Sequence, residues 1–483
     1  MDNINSWKVV LPDEMARVEK LAIAGGCSEE KFMLEAGEKI ADAIFEWMGE
    51  KRKVCLVVGK GSNGGDAYAA GSILLGEGYS VRAISLFSEK EESALHRKMR
   101  LAFLKKKGKV ERGSFDFRGD DLIVDGIFGT GFKGAVDGIA KEAIEAINAS
   151  GKLVLAIDIP SGLDGASGQV RGCAIKADLT VALGLPKMGF FLREGWNQVG
   201  ILRVENFGLP ERFIEKAASE AELLDWGSLR LPQIVRKRHK YEAGYVVGFG
   251  GSKEMPGAAR LCAKAVLRAG AGIVRLFSKD EIQASDEVIS NMWDEAKWKK
   301  ELARAQAVFV GPGLGSFSKE FLGARFKEIK QSCVIDADAL VASYFPKGAI
   351  LTPHLGEALR LLGLKTAPTE SILFEKLRKF SKQKGVVVVL KGAPTIVFGP
   401  GEAPLIIPLG DPGMATAGTG DVLTGVIAAL LAQKMKPYEA AVLGVSLHAL
   451  AGEIAAMEKT SYCLIAGDLI EHLPGAFGLL HAF

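Results

Sequence analysis

Three aspartates punctuate apolar runs that break off in glycine. Asp66 closes Gly59-Lys60-Gly61-Ser62-Asn63-Gly64-Gly65-Asp66, Asp125 follows Ile123-Val124, and Asp158 follows Ala156-Ile157 and leads into Ile159-Pro160-Ser161-Gly162. The glycines at 59, 61, 64 and 65 let backbone N–H groups face an anion, because no Cβ blocks its approach. A helix expected to begin near Ala67 would add its dipole. The spacing satisfies neither G-x-G-x-x-G nor the Walker A loop. Open parallel sheets bind ligands at the C-terminal ends of their strands, so the three acids are expected to meet in one crevice. With Ser161 and nearby carbonyls they suit a monovalent or divalent cation, or one of them can move a proton. Singly, each would serve as well as a helix cap. At successive strand ends they point to one site.

A second set lies in the other half. Gly410-Asp411-Pro412-Gly413-Met414-Ala415-Thr416-Ala417-Gly418-Thr419-Gly420-Asp421 runs into an apolar helix expected over Val422–Gln433. Gly418 and Gly420 free the backbone to wrap an anion at that helix start, where Asp421 can reach a neighbouring hydroxyl. This suits phosphoryl transfer to, or elimination from, a hydroxylated carbon, with a plain N-cap as the bland alternative. Gly311-Pro312-Gly313-Leu314-Gly315, Thr352-Pro353-His354-Leu355-Gly356-Glu357 and Lys391-Gly392-Ala393-Pro394-Thr395 follow other apolar runs. A lone histidine more often packs or faces water. Beside Glu357 in a strand-end loop, His354 is a candidate acid or base.

Something must hold these loops. Val54–Val58, Leu122–Val124, Leu153–Ile157 and Leu179–Leu183 read as buried strands, with helical patterns such as Ala67–Gly76 and Ile139–Asn148 between them. The second half repeats the scheme with Tyr245–Phe249, Ile273–Phe277, Ala307–Val310, Cys333–Ile335 and Val386–Leu390. Alternation of this kind predicts parallel sheets covered on both faces, in two unlike α/β domains. Leu209–Leu231 shows no strand-like run and is the expected boundary. Leu11–Ala24 has helical spacing, with Met15, Val18, Leu21 and Ala22 on one packing face and no chemistry assigned to it.

Composition narrows the function classes. With 483 residues, two or three domains are expected. A net charge of +3 argues against a nucleic-acid binder, and the runs Lys105–Lys107 and Arg236–Lys240 are short. Six cysteines without a C-x-x-C pair fit reduced thiols in a cytosolic protein. Met1–Trp7 has no leader-like pattern, and the apolar runs fall short of the ~20 residues of a membrane span. A cytoplasmic protein with no membrane partner is expected.

The chemistry-bearing stretches also resemble known families. Ser62–Asp66, Val124–Gly131 and Asp158–Gly162 closely resemble the NAD(P)H-hydrate epimerase family, which implies a Rossmann-like three-layer domain, expected over residues 1–215. The resemblance places K+ at Asn63, Asp125 and Ser161, with Asp125 and Asp158 catalytic. It places the hydrated dinucleotide against Ser62, Asn63, Gly64, Gly65 and Asp66, against Gly129, Thr130, Gly131, Phe132, Lys133, Gly134 and Ala135, and against Asp158. Ser62 stands where the family usually has Asn and Ala67 where it has Gly, and Ser88–Lys107 lacks the family's Asp-Ala-Asn character.

Gly418–Asp421 resembles the ribokinase-like superfamily. Together with Gly250–Ser252, Met255–Ala259, Ala269–Gly272, Gly311–Gly315, Thr352–Glu357, Lys391–Thr395 and Pro412–Gly425, it looks like the ADP-dependent NAD(P)H-hydrate dehydratases, over an expected domain 225–483. By that resemblance Ala258, Gly313, His354 and Asp421 contact substrate, with Asp421 catalytic. Lys391, Gly392, Ala393, Pro394, Thr395, Gly418, Thr419 and Gly420 contact the nucleotide, ADP with Mg2+. Leu355 replaces the family's Pro, and Asp411 its Asn. The two resemblances imply an enzyme that repairs NADHX and NADPHX by epimerising the R and S hydrates and then dehydrating the S form, and a homo-oligomer is expected. The rival expectation is a kinase of a small alcohol or hydroxymethyl heterocycle carrying a non-catalytic N-terminal binding module.

Overall fold

The computed structural model describes residues 4–50, 52–317 and 319–481, so Met1–Asn3 of the leader reading lie outside the described residues. The chain divides into two compact units. One is Trp7–Ala221, and the other joins the residues up to Ser6 to those from Glu222 onward.

In the first unit seven strands form one sheet, in the order Lys109–Glu111, Ser80–Ser85, Lys53–Val58, Leu122–Gly126, Leu153–Ile157, Leu179–Leu183 and Ile201–Glu205. Every neighbouring pair is parallel. Successive strand residues point to opposite faces, which is why unbroken Val/Ile/Leu runs work here. Val54, Leu56 and Val58 join a core that includes Ile40, Tyr68 and Phe103, while Cys55 and Val57 join another with Ile144 and Ile147. Helices cover both faces, giving three layers.

Three details differ from the sequence-based expectation. Asp125 lies inside its strand, which extends to Gly126. The helix expected from Ala67 begins at Ser62, with Gly61 as its N-cap, so Ser62–Asp66 is a first helical turn. Its glycines serve close packing: a Cβ on Gly64 would lie 2.2 Å from the Gly59 carbonyl oxygen, and one on Gly65 2.6 Å from Met33 Sδ. The Leu11–Ala24 pattern folds as a helix, Pro12–Ala24, that buries Met15, Val18 and Ala22 but leaves Leu21 40% exposed.

The second unit's sheet runs Leu405–Ile407, Thr395–Phe398, Val387–Leu390, Ile350–Leu351, Ser332–Ile335, Ala307–Val310, Tyr245–Phe249, Ile273–Ser278 and Ile289–Met292. Thr395–Phe398 is antiparallel to both neighbours. In the stretch expected to lack strands, Ala221–Leu224 is one, and Glu222 and Leu223 pair parallel with Leu405 and Ile406. Pairing with Leu405–Ile407 makes the strand there, and its buried Leu223 and Leu224 are too short a pattern to read alone.

Two apolar helices, Thr419–Ala432 and Pro437–Lys459, fill the core with Pro256–Arg268. Gly425 lets the first approach Cys262, whose carbonyl oxygen would lie 2.3 Å from a Cβ there. Pro437–Lys459 is long and apolar enough to cross a membrane, which counting consecutive apolar residues did not reveal. Yet 78% of its most apolar window is buried inside the unit, as in a core helix.

The strand-to-helix corner of the first unit yields a contrast. A Cβ on Gly59 would lie 1.9 Å from the Ile127 carbonyl oxygen, whereas one on Gly61 meets nothing within 4 Å. Gly59→Ala is expected to lower unfolding free energy by about 1–3 kcal/mol in urea titrations. Gly61→Ala should change it by less than about 0.5 kcal/mol. Equal effects would show that this corner is not the tight contact described.

Candidate functional sites at the strand ends

In the first unit, a cavity of about 500 Å3 opens at the C-terminal ends of the strands. Gly61, Ser62, Asn63, Asp66, Gly129, Thr130, Gly131, Phe132, Lys133 and Asp158 line it. Gly64, Gly65, Gly134 and Ala135 are not part of that lining. Phe128 and Phe132 stack there with ring centres 4.2 Å apart.

Asp125 does not share the open crevice with Asp66 and Asp158. It is fully buried, because its place within the strand puts the carboxyl under the loop that follows. Its Oδ1 accepts from Ser161 Oγ (2.6 Å) and Ile127 N (3.1 Å), and its Oδ2 from Ser161 N (2.8 Å). Ser161 Oγ in turn accepts from Phe128 N at 2.8 Å. Asn63 Nδ2 donates to the carbonyls of Phe128 and Ile157, both at 2.8 Å. Asn63, Asp125 and Ser161 thus meet around Phe128. Burial pushes the Asp125 carboxyl up to about 6 against the pull of its hydrogen bonds to Ser161. Among the described residues no basic side chain forms an ion pair with it. A buried, unpaired carboxylate ringed by a hydroxyl, an amide and peptide carbonyls fits a hard, singly charged cation. Among the described residues no group of three or more His, Cys, Asp or Glu is placed to hold a metal ion, and this donor set of one carboxylate, a hydroxyl, an amide and carbonyls does not resemble a zinc site.

Asp158 adopts φ +63°, a left-handed conformation that aspartate tolerates better than most residues. Its Oδ1 accepts from Leu183 N (3.2 Å) and from Nζ of the fully buried Lys187. Two further acids face the cavity. Burial, then the charge of Asp158, raises Asp66 well above the ordinary range and Glu19 to about 7. Sequence reasoning missed Glu19 and Lys187. The helix assigned only to packing carries Glu19, and the signal for Lys187 was a lysine just beyond the Leu179–Leu183 strand.

In the second unit Asp421 is the third residue of the Thr419–Ala432 helix. The N-cap is Gly418, at φ +94°. The plain N-cap reading of Asp421 is therefore replaced by a first-turn carboxylate. Asp336, buried just past the Ser332–Ile335 strand, accepts from Lys391 Nζ at Oδ1 (2.9 Å) and from Thr424 Oγ1 at Oδ2 (2.8 Å). A Cβ on Gly420 would lie 3.3 Å from Lys391 Nζ, so lysine and helix start are adjacent. Burial, then the Asp336 charge, lifts Asp421 to about 7, with Lys391 opposing. His448 Nε2 bonds the Thr419 carbonyl at 2.9 Å, and burial lowers the ring to about 4, so a neutral imidazole donates there. Thr419 Oγ1 donates to the carbonyls of Met414 and Thr416, closing the loop before the helix.

His354 caps the Leu355–Leu361 helix. Its Nδ1 accepts from Gly356 N (3.0 Å) and Glu357 N (3.4 Å), and Glu357 reciprocates to His354 N (2.9 Å). The substitution Leu355 leaves this box intact. Residues 354 and 391 bridge adjacent strand ends, and Lys391 Nζ lies 3.9 Å from Glu357. Ala393–Pro394 is cis, and Thr395 Oγ1 donates to Gly392 O at 3.1 Å. Ala258 and Gly313 touch: a Cβ on Gly313 would lie 2.9 Å from that of Ala258. Leu261 of the same helix abuts Gly418, which joins this pair to the Asp421 loop. The Asp411 carboxylate is held by Gly413 N (2.7 Å) and Ser461 Oγ (2.9 Å). Asp336, Thr424 and His448 escaped the sequence reading. For Asp336 the signal was present, an acid directly after an apolar run.

The Asp421 environment predicts a stability effect. A carboxyl that titrates near 7 folded and near ~3.9 unfolded costs stability as pH rises through that window, and the cost is complete above 7. Asp421→Asn should therefore raise Tm by roughly 2–5 °C at pH 8. Calorimetry at pH 4 should find little difference. An equal gain at both pH values would refute the buried-charge account.

The chain was compared with known proteins. Residues 29–189 match the family model of the YjeF-related protein N-terminus, and residues 246–474 that of NAD(P)H-hydrate dehydratase. Bifunctional NAD(P)H-hydrate repair enzymes Nnr from Moorella thermoacetica and Escherichia coli are each 32% identical. The first alignment covers 96% of this chain and 96% of that protein, the second 95% and 92%. Among solved structures, a ribokinase-like superfamily protein from Enterococcus faecalis is 27% identical over 52% of this chain and 92% of its own, with a TM-score of 0.47. The ADP/ATP-dependent NAD(P)H-hydrate dehydratase of Bacillus subtilis, crystallised with ATP and Mg2+, is 27% identical over 52% and 95%, with a TM-score of 0.45. Near end-to-end identity at this level, spanning both units, is a family relationship, and the chain belongs to the family of bifunctional NAD(P)H-hydrate repair enzymes.

Proposed function

We propose that each unit performs one step of the repair of hydrated nicotinamide dinucleotides, with the residues of the two strand-end sites in defined roles. The chain is an enzyme of that repair: it interconverts the R and S hydrates of NADH and NADPH and dehydrates the S form at the expense of a nucleotide. The observation that carries the assignment of residues is the Asp336–Lys391–Asp421 constellation at the start of a buried helix. Asp421, lifted to about 7, is poised to take the proton of the substrate hydroxyl. Lys391, fixed by Asp336, and the N–H groups of Gly418, Thr419 and Gly420 face the nucleotide phosphate. ADP with Mg2+, when bound, turns the hydroxyl into a good leaving group. Ala258, Gly313 and His354 border the substrate, and Gly392–Thr395 the nucleotide.

In the first unit Asp158, anchored by Lys187, and Asp66 face the ring, while Gly129–Lys133 and the stacked Phe128–Phe132 pair wall the cavity. Potassium, when held by Asn63, Asp125 and Ser161, supplies positive charge beneath the ring-binding loop. Six free cysteines support a reducing, cytoplasmic location. Exposed Met457, Tyr462 and Ile465 support association of copies.

Prepared NADH hydrate, both epimers, followed by NADH absorbance with and without ADP, tests the reading. Asp421→Ala should cut ADP-dependent recovery by about 10²–10⁴ and leave epimerisation intact. Near-wild-type dehydration would sink the assignment, and a stable phosphorylated product from a small alcohol would favour a kinase instead. Because the base must be ionised, dehydration kcat/KM should fall about tenfold per pH unit below about 7.

Epimerisation should be faster in K+ than in Na+ or tetramethylammonium at equal ionic strength. Asp125→Asn should lower both the rate and that preference. A cation-indifferent wild type would remove the ion from Asn63, Asp125 and Ser161.

A further inference from the structure

The unit that begins at Glu222 carries a second cavity, of about 1100 Å3. It opens at the opposite ends of the strands from Asp336, Lys391 and Asp421. Ala269 and Gly270 on its wall precede the Ile273–Ser278 strand, and Ser285 and Glu287 precede Ile289–Met292. Its size is ample for an organic ligand, whose pockets usually measure about 300–1,000 Å3.

The floor is apolar: Leu480 is buried, and Leu267 and Phe477 are partly buried edges of the core. The rim is cationic. Lys264 and Arg268 stand one turn apart on the Pro256–Arg268 helix, and Arg230 adds a third positive charge. All three are exposed. Arg230 donates only to the carbonyls of Gly227 and Leu229, and none of the three forms an ion pair among the described residues. Glu287, the one acid in the lining, is exposed and bonded to its own backbone and to Ser285, and the nearby charges of Lys264 and Arg268 help hold its carboxyl low, so the two cations already attract one carboxylate without forming an ion pair with it. Like charges four residues apart on a helix repel, and an anion between them relieves that repulsion.

We propose that this cavity binds a small amphipathic anion, an apolar body carrying one carboxylate or phosphate head, at a site distinct from the Asp421 centre. The apolar body covers Leu267, Phe477 and Leu480, and the head meets Lys264, Arg268 and Arg230.

Titration of the full-length protein with 1-anilinonaphthalene-8-sulfonate tests this by fluorescence. One saturable site per chain is expected, displaced by decanoate or decyl phosphate but not by decanol or ADP. Lys264→Glu with Arg268→Glu should weaken binding about tenfold or more while dehydration continues, which verifies the fold. Gly478 lines the cavity and a Cβ there meets nothing within 4 Å, so Gly478→Trp should block the site sterically. The proposal is overturned by any of four results: no saturable site, displacement by ADP, equal competition by decanol, or unchanged affinity in both variants.

Discussion

A carboxylate withdrawn from water at the end of a parallel strand is the interaction on which both sites depend. Ionised carboxylates resist burial strongly, so each must find a partner or take up a proton. Asp158 finds Lys187, and Asp336 finds Lys391 and Thr424. Asp125 finds only neutral donors, Ser161 and two peptide N–H groups, and its carboxyl is pushed up to about 6. The three solutions have different consequences. A carboxylate with its own lysine is a fixed dipole that can orient a ligand. One without a basic partner calls for a cation, and that is the electrostatic basis for reading Asn63, Asp125 and Ser161 as an ion site.

Each fixed pair also acts on an acid that lacks a partner. Beyond the larger effect of burial, Asp158 raises Asp66 and Glu19, and Asp336 raises Asp421. Burial is the main cause and the neighbouring carboxylate adds to it, against the pull of the lysine for Glu19 and Asp421, which is how a carboxyl comes to titrate near neutrality. Such arrangements sit uneasily with stability, and the surrounding packing has to hold them.

That packing relies on backbone crossing backbone at distances no side chain permits. A Cβ on Gly59, Gly64 or Gly425 would lie 1.9 to 2.3 Å from a carbonyl oxygen, and one on Gly311 1.8 Å from that of Asp336. Much of the glycine excess is therefore spent on bringing strand ends and helices together. Helix N-termini are consequently carried close to the acids, where their N–H groups face incoming anions.

The sequence by itself determined the central strands, their parallel character and the strand-end stretches that carry Asp66, Asp125, Asp158 and Asp421. Those features follow from local composition: β-branched runs that end in glycine read the same way wherever they occur. Motif resemblance reached the family for the same reason, since the matching residues are contiguous. Tertiary structure alone decided which acids are paired and which are not. Glu19 comes from a helix read as mere packing, Lys187 from beyond a later strand, and Asp336 meets Lys391, 55 positions further along the chain. It also placed Asp125 beneath the crevice and moved two helix starts back over their glycines. Burial and long-range partners set a carboxylate's proton affinity, and neither is a property of the residues next to it in the chain.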